Sequence, residues 1–187
     1  MTAILSAVIP LFAIALLALQ GPSASDWSRA DAATTRLPPS EFPTVGAPLR
    51  AELQRRGCTI PQVYTGGPPH NVARGAFRTA GQIDTAVLCS QQHASSILVF
   101  WGGNSSNVSV VAPWPDGQFL QVVAPGQIGF SRLVRVASPA FIRKHDQPGR
   151  SASPFIAHDG IEDVFVEKAS VVWYWHQGQW LQLSGAD

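Results

Sequence analysis

The sequence has little charge and almost no excess of either sign. Only 13% of its 187 residues are charged, and 13 Lys and Arg against 12 Asp and Glu give a formal net charge of +1. Nucleic acids and anionic membranes are bound by clustered cations, because their phosphates carry dense negative charge. The densest basic clusters, Arg55-Arg56 and Arg143-Lys144, fit the ends of short helices instead. We therefore expect no nucleic-acid partner and no membrane contact beyond the N-terminal segment.

The chain also lacks the short motifs that mark common enzymes and cofactor sites. It contains no G-x-S-x-G nucleophile elbow, no H-E-x-x-H zinc motif, no C-x-x-C pair and no phosphate-binding glycine loop. Its five histidines are scattered singly along the sequence. We therefore expect no cofactor and no metal site, and the sequence favours a non-enzymatic protein over an enzyme.

An uncharged apolar run, AILSAVIPLFAIALLAL, occupies residues 3–19 and is followed by the polar stretch QGPSAS. The small residues Ser23 and Ser25 suit cleavage by signal peptidase, so we predict a signal peptide over residues 1–25 and a mature protein that begins at Asp26. The alternative is an uncleaved anchor, because the run approaches the length that spans a bilayer. In both cases we expect export, to the periplasm or to the extracellular space.

Cysteine is scarce, and its two positions are Cys58 and Cys89. In an oxidising compartment two such residues are normally joined, so we predict a Cys58–Cys89 disulfide. The alternative, a catalytic cysteine with a histidine partner, lacks any recognisable sequence context around either residue.

Residues 26–46, DWSRADAATTRLPPSEFPTVG, combine three prolines with small residues and predict a linker. The next stretch, APLRAELQRRG, predicts a short helix, because Pro48 suits the first turn and Gly57 suits the C-terminal cap. Short apolar runs bounded by Gly and Pro then predict strands, and SPAFIRKHD predicts a second short helix that begins at Ser138. The predicted fold is α+β, mostly β, with antiparallel sheets and one or two short helices in a single domain over residues 47–187.

Two stretches carry resemblances to known proteins. Residues 73–90, ARGAFRTAGQIDTAVLCS, resemble the opening of a blade in integrin-type repeats, although Asp84 is the only acidic residue left of the calcium loop. A propeller needs several such units and only one is present. The C-terminal segment GIEDVFVEKASVVWYW resembles exported bacterial β-rich proteins of no assigned activity. Together these resemblances imply an exported β-rich domain without calcium.

The strongest candidates for catalysis are four carboxylates, Asp159, Glu162, Asp163 and Glu167. A pair of carboxylates can hydrolyse a glycosidic bond, and an envelope polysaccharide hydrolase is therefore the alternative function. On a strand, however, Asp163 and Glu167 share one face and Glu162 lies on the other. This division, and the position of Asp159 in an HDG turn, favour roles in a turn and at a strand edge.

Large aromatic residues follow in VVWYWHQGQW, where Gln177-Gly178 suits a two-residue hairpin turn. In that register Trp175 lies opposite Trp180. Trp173, Trp175 and Trp180 then share one face, and the opposite face is formed by Val172, Tyr174, Leu181 and Leu183.

A face of three tryptophans can stack on sugar rings or anchor a protein partner. We therefore expect an exported binding or structural domain whose ligand, an envelope glycan or an envelope protein, contacts Trp173, Trp175 and Trp180. The alternative is that these tryptophans pack as core beneath the linker or the first helix.

Overall fold

Antiparallel β-structure dominates the computed structural model, which describes residues 21–145 and 156–186. In chain order the elements are α1 (Ala24–Ala33), β1 (Arg36–Leu37), α2 (Ala47–Arg55), β2 (Ile60–Pro61), β3 (Val72–Gly75), β4 (Asp84–Gln91), β5 (Ala94–Phe100), β6 (Val108–Pro115), β7 (Leu120–Ala124), β8 (Gln127–Phe130), β9 (Arg132–Ala137), α3 (Pro139–His145), β10 (Gly160–Phe165), β11 (Ala169–His176) and β12 (Gln179–Ser184). Short 3₁₀ turns occur at Pro39–Glu41, Trp101–Gly103 and Asp116–Phe119. The predicted mostly β, α+β class is confirmed.

Two four-stranded sheets form the body of the protein. One has the order β3-β4-β5-β6 and the other the order β12-β11-β10-β9, so each is a meander of consecutive antiparallel strands. Two further pairs, β1 with β2 and β7 with β8, complete the sheets of the described residues. The apolar run IGFSRLVRV is divided at Ser131 between β8 and β9.

The first sheet is covered on both faces, which explains the continuous apolar run in β5. Ile97 and Val99 belong to a main core cluster that also contains Val134 and Ile161 of the second sheet. Their neighbours Leu98 and Phe100 point to the opposite face and belong to a second cluster. Successive side chains of a strand alternate between faces, so a strand buried on both sides contains apolar residues at every position.

Helix α2 covers the second cluster and has the predicted boundaries. Leu49 and Leu53, one turn apart, are both buried there, and Gly57 ends the helix with a positive φ of 72°. The predicted disulfide between Cys58 and Cys89 is present and joins the end of this helix to β4.

The segment interpreted as a linker contains structure that the sequence interpretation did not foresee. Helix α1 begins with a capping box in which Ser23 and Asp26 exchange hydrogen bonds, and its Trp27 packs against the main cluster. Further along, Phe42 and Val45 are buried in the second cluster. The predicted cleavage point after Ser25 lies in the first turn of this helix, and residues 1–20 lie outside the described residues.

The second sheet is also covered on both faces. Its inner face contributes to the main cluster, and its outer face packs with α3 in a third cluster of Ala137, Ile142, Ile156, Val172 and Tyr174. Within the described ranges, no helix is both long enough and apolar enough to cross a membrane.

Candidate functional site

The hairpin of β11 and β12 has the predicted register. Trp175 pairs with Trp180, His176 with Gln179, and Tyr174 with Leu181. Its turn residues Gln177 and Gly178 both have positive φ, 47° and 86°, which is the backbone of a type I′ turn that matches the twist of antiparallel strands. The alternation derived from this register therefore holds.

The three tryptophans of the hairpin do not form a flat exposed face. Trp173, Trp175 and Trp180 are partly buried against the main cluster. A fourth tryptophan, Trp101, follows β5 and joins two of them, with ring centroids 5.1 Å from Trp175 and 5.4 Å from Trp180. Trp175 and Trp180 are themselves 5.4 Å apart and edge to face. We call Trp101, Trp175 and Trp180 the tryptophan cluster.

Three indole nitrogens of this region are bonded or buried. Trp101 donates its Nε1–H to Ser109 Oγ at 2.9 Å, and the Nε1 atoms of Trp173 and Trp180 are buried without a hydrogen-bond partner in the described residues.

Arg78 supplies a charge next to the rings. It lies in the loop between β3 and β4, and its guanidinium carbon is 5.7 Å from the Trp101 ring centroid and 6.0 Å from that of Trp175. Such distances are within the range of a cation–π contact. The side chain is exposed, and among the described residues it has no carboxylate partner.

Buried Asp84 determines where Arg78 and Trp101 lie. One of its oxygens, Oδ2, accepts from the backbone N–H groups of Phe77 at 3.0 Å and of Arg78 at 3.2 Å. The other, Oδ1, accepts from the backbone N–H of Gly102 at 2.7 Å. Asp84 is thus hydrogen-bonded to N–H donors and links the Arg78 loop to the Trp101 turn.

A cavity of about 460 Å³ opens beside Trp175 and Arg78. Its remaining lining residues are Thr79, Ala80, Ile156, Ala157, His158, His176, Gln177 and Gly178. We call it the Arg78 cleft. His158 Nδ1 is 2.9 Å from the backbone oxygen of Asp159. This contact involves Nδ1 and not Nε2, the other ring nitrogen.

Three other cavities occur in the described ranges, and the one of about 380 Å³ also places a cation on a ring, with Lys168 Nζ 4.4 Å from the Phe165 ring centroid. The largest, about 670 Å³ between α1 and the β7–β8 hairpin, has no aromatic lining, and its Arg29 pairs with Asp26. One of about 380 Å³ contains the ion pair of Arg135 with Glu162. In the third, of about 360 Å³, both ring nitrogens of His70 already contact the backbone.

The two carboxylates on β10 point to opposite faces, as predicted, and each pairs with an arginine. Glu162 is buried, contacts Arg135 at 2.6 Å and accepts from Ser170 Oγ at 2.7 Å. Its hydrogen bond raises the pKa of Arg135. Asp163 forms a two-pronged pair with Arg132 at 2.9 and 2.8 Å. Both carboxylates therefore serve the packing of the second sheet.

The other two acidic residues lie in turns. Asp159 Oδ2 accepts from the backbone N–H of Ala76 at 2.9 Å and so joins the start of β10 to the Arg78 loop. Glu167 has a positive φ of 63° in the turn after β10. Burial raises the pKa of Tyr64, and its hydrogen bond to Glu167 adds to this effect. These contacts fit the structural roles expected from the sequence, and no observation favours an acid–base pair among the four carboxylates.

Among the described residues, no group of three or more His, Cys, Asp or Glu side chains is arranged to hold a metal ion. Comparison of the chain with protein-family models, curated proteins and solved structures gave no match.

Proposed function

We propose that this protein is a small exported domain that binds a glycan in the Arg78 cleft. The observation that carries the proposal is the position of Trp175. Its ring lines the cleft, is supported by Trp101 and Trp180, and lies beneath the guanidinium of Arg78. Of the three tryptophans expected from the sequence, Trp175 contacts the ligand, Trp180 supports it, and Trp173 belongs to the core.

The composition of the cleft suits a sugar. Indole rings offer a flat apolar surface with specific stacking geometry, and the hydroxyl groups of a sugar need donors and acceptors around that surface. His158, His176 and Gln177 provide such groups at the cleft. Its volume of about 460 Å³ lies within the range of about 300–1,000 Å³ that is usual for small-ligand sites.

An envelope protein is the less favoured partner. A stable protein interface buries about 800 Å² on each side and is anchored by aromatic residues that the partner can cover. The hairpin tryptophans are instead partly buried against the protein's own core. A shallow site lined by the Trp175 ring fits a short segment of glycan better.

The proposed location is outside the cytoplasm, in the periplasm or the extracellular space. The apolar run over residues 3–19 supports a signal peptide over residues 1–25. The Cys58–Cys89 disulfide fits an oxidising compartment.

The test is binding of the purified protein to an array of neutral and acidic oligosaccharides from bacterial envelopes. We expect retention of at least one class, and a Trp175→Ala variant that binds at least about tenfold more weakly, since a stacked ring is an energetic anchor. Trp114→Ala is the matched control, because Trp114 is 48% exposed on β6 and does not line the cleft.

The proposal fails if no oligosaccharide is retained, or if a Trp175→Ala variant with native circular dichroism binds as tightly as the wild type. Should the alanine variant lose its native spectrum, Trp175→Phe keeps a smaller ring, and intermediate affinity is expected. If no glycan binds, capture from an envelope extract followed by mass spectrometry tests the protein alternative.

A further inference from the structure

We infer that the glycan bound in the Arg78 cleft carries a carboxylate, and that Arg78 binds this group. The inference rests on the proposed function and adds to it the chemical class of the ligand.

Among its described lining residues, the cleft has a positive charge and no negative one. Arg78 is the cation, and none of the described lining residues is Asp or Glu. The net charge of the whole chain is only +1, so this local asymmetry does not follow from a basic composition. A concave site lined by one sign of charge attracts ligands of the opposite sign.

Arg78 differs from most arginines of the described residues in lacking a carboxylate. Six arginines contact Asp or Glu side chains, namely Arg29, Arg36, Arg55, Arg56, Arg132 and Arg135. Arg50 and Arg143 contact backbone carbonyls. In contrast, Arg78 contacts the rings of Trp101 and Trp175.

This environment prepares the guanidinium for a planar anion. Contacts with the two indole rings restrict where the side chain lies, while its N–H donors have no acceptor among the described residues. A guanidinium matches a carboxylate with two parallel N–H···O bonds, and such charge-assisted bonds are among the strongest in proteins. A sugar ring on Trp175 would bring a carboxylate substituent within reach of Arg78, which lies over that same indole.

Asp159 is the acidic residue closest in sequence to the cleft, and it does not neutralise Arg78. Its Oδ2 accepts from the backbone N–H of Ala76 and lies 3.0 Å from the position that a Cβ on Gly75 would take. The absence of a side chain at Gly75 thus allows this carboxylate to reach the backbone of the Arg78 loop. Asp159 is therefore part of the support of the loop.

The experiment compares each acidic oligosaccharide with its own carboxyl methyl ester, which keeps the sugar ring and removes the charge. The probes are oligosaccharides that contain uronic acids or N-acetylmuramic acid. Each is placed on the array beside its ester, and the affinity of the purified protein for both is then measured by titration. We expect the ester to bind at least about tenfold more weakly than the acid, since one charge-assisted pair is lost.

Variants then assign this difference to Arg78. Arg78→Gln is expected to weaken binding of the acid by about 10- to 100-fold and to weaken binding of the ester by a much smaller factor. Arg78→Lys recovers only part of the loss, because an ammonium keeps the charge but not the two-pronged geometry. Arg74→Gln is the matched control, since Arg74 is a neighbouring exposed arginine that does not line the cleft.

The outcomes separate this inference from the proposed function. Equal affinity for acid and ester, or an equal loss of both in the Arg78→Gln variant, overturns the acidic ligand while glycan binding stands. No binding of any oligosaccharide in either form overturns the proposed function and this inference together. Because Arg78 is exposed, its variants are expected to keep the native circular dichroism spectrum, which is recorded for each.

Discussion

Arg132 is the largest fully buried side chain of the described residues, and its charge is compensated from several directions. It pairs with Asp163, donates to the backbone oxygens of Ser95 and Ala112, and lies 4.3 Å from the ring centroid of Phe119. A guanidinium stays charged when it is buried, so its desolvation is costly unless such partners surround it. Arg132 therefore connects the second sheet to β5 and β6 of the first.

Replacing Asp163 with Asn tests this view of the buried pair. The substitution keeps the shape but leaves Arg132 buried without a counter-charge, so we expect a loss of about 3–5 kcal/mol in the free energy of unfolding. Urea unfolding followed by circular dichroism measures it. Arg29→Gln, which breaks an exposed pair with Asp26, serves as control, with little change expected because solvent screens such a pair. A loss below about 1 kcal/mol for Asp163→Asn contradicts the assignment.

At the scale of single residues, the sequence predicts the face on which a side chain lies wherever strand alternation determines that face. Strand alternation separates Glu162 from Asp163 and brings Trp173, Trp175 and Trp180 to one face, and both features are present. Trp101 and Arg78 escaped the sequence interpretation because both lie in loops that follow or precede strands. Their proximity to Trp175 depends on how the two sheets pack, and no short-range pattern encodes that.

Among the elements, the β11–β12 hairpin and α2 were predicted closely because each has local end signals. A two-residue turn at Gln177-Gly178 fixes the hairpin register, and Pro48 and Gly57 fix the ends of the helix. Helix α1 was missed, since its residues are mostly small or polar and none is fully buried. The spacing of Ser23 and Asp26 in a capping box was the one signal that could have revealed it.

Glu52 gives helix α2 a pH-dependent contribution. Its hydrogen bonds to Arg55 and then Arg56 lower the pKa of Glu52 from 4.5 to about 2. Because the folded pKa is depressed, the stabilisation is fully present above about pH 4.5 and is lost as the pH falls from 4.5 towards 2. We expect Glu52→Gln to lower Tm by about 1–2 °C at pH 7, since these pairs are exposed.

Thermal unfolding of both proteins between pH 2 and pH 7 measures this effect. The difference in Tm should shrink as the pH falls below about 4.5 and vanish near pH 2. Glu41→Gln is the control, because Glu41 is exposed and forms no ion pair within the described residues. A Tm difference that is constant across this range contradicts the depressed pKa.

For the molecule as a whole, two meanders share one main cluster, and the segment before them closes the remaining surfaces. Phe42, Val45 and α2 cover the outer face of the first sheet, and Arg36 of β1 reaches buried Asp116 at 2.8 Å. Burial opposes the charge of Arg36, but hydrogen bonds to Asp116 and Asp31 raise its pKa overall. The chain preceding the first four-stranded sheet therefore contributes to the core, although its prolines and small residues suggested a linker.

The Cys58–Cys89 disulfide fixes this arrangement, since it joins the N-terminal part to the first sheet across a sequence separation of 31 residues. Closing a loop of that size restricts the unfolded chain and stabilises the fold by about 3–4 kcal/mol in the chain-entropy model. We expect the Cys58→Ala/Cys89→Ala variant to lose about this much in urea unfolding, and reduction of the wild type to lower the unfolding midpoint likewise.

Thiol titration supplies the independent readout of the disulfide. The purified wild-type protein, denatured without reductant, should show no reactive thiol. After reduction it should show two. The double variant should show none in either state. Two free thiols in the unreduced protein would contradict the disulfide and weaken the argument for an oxidising compartment. An oxidised pair whose removal leaves the unfolding midpoint unchanged would instead mean that packing of α2 against β4 and β5 suffices to hold the N-terminal part in place.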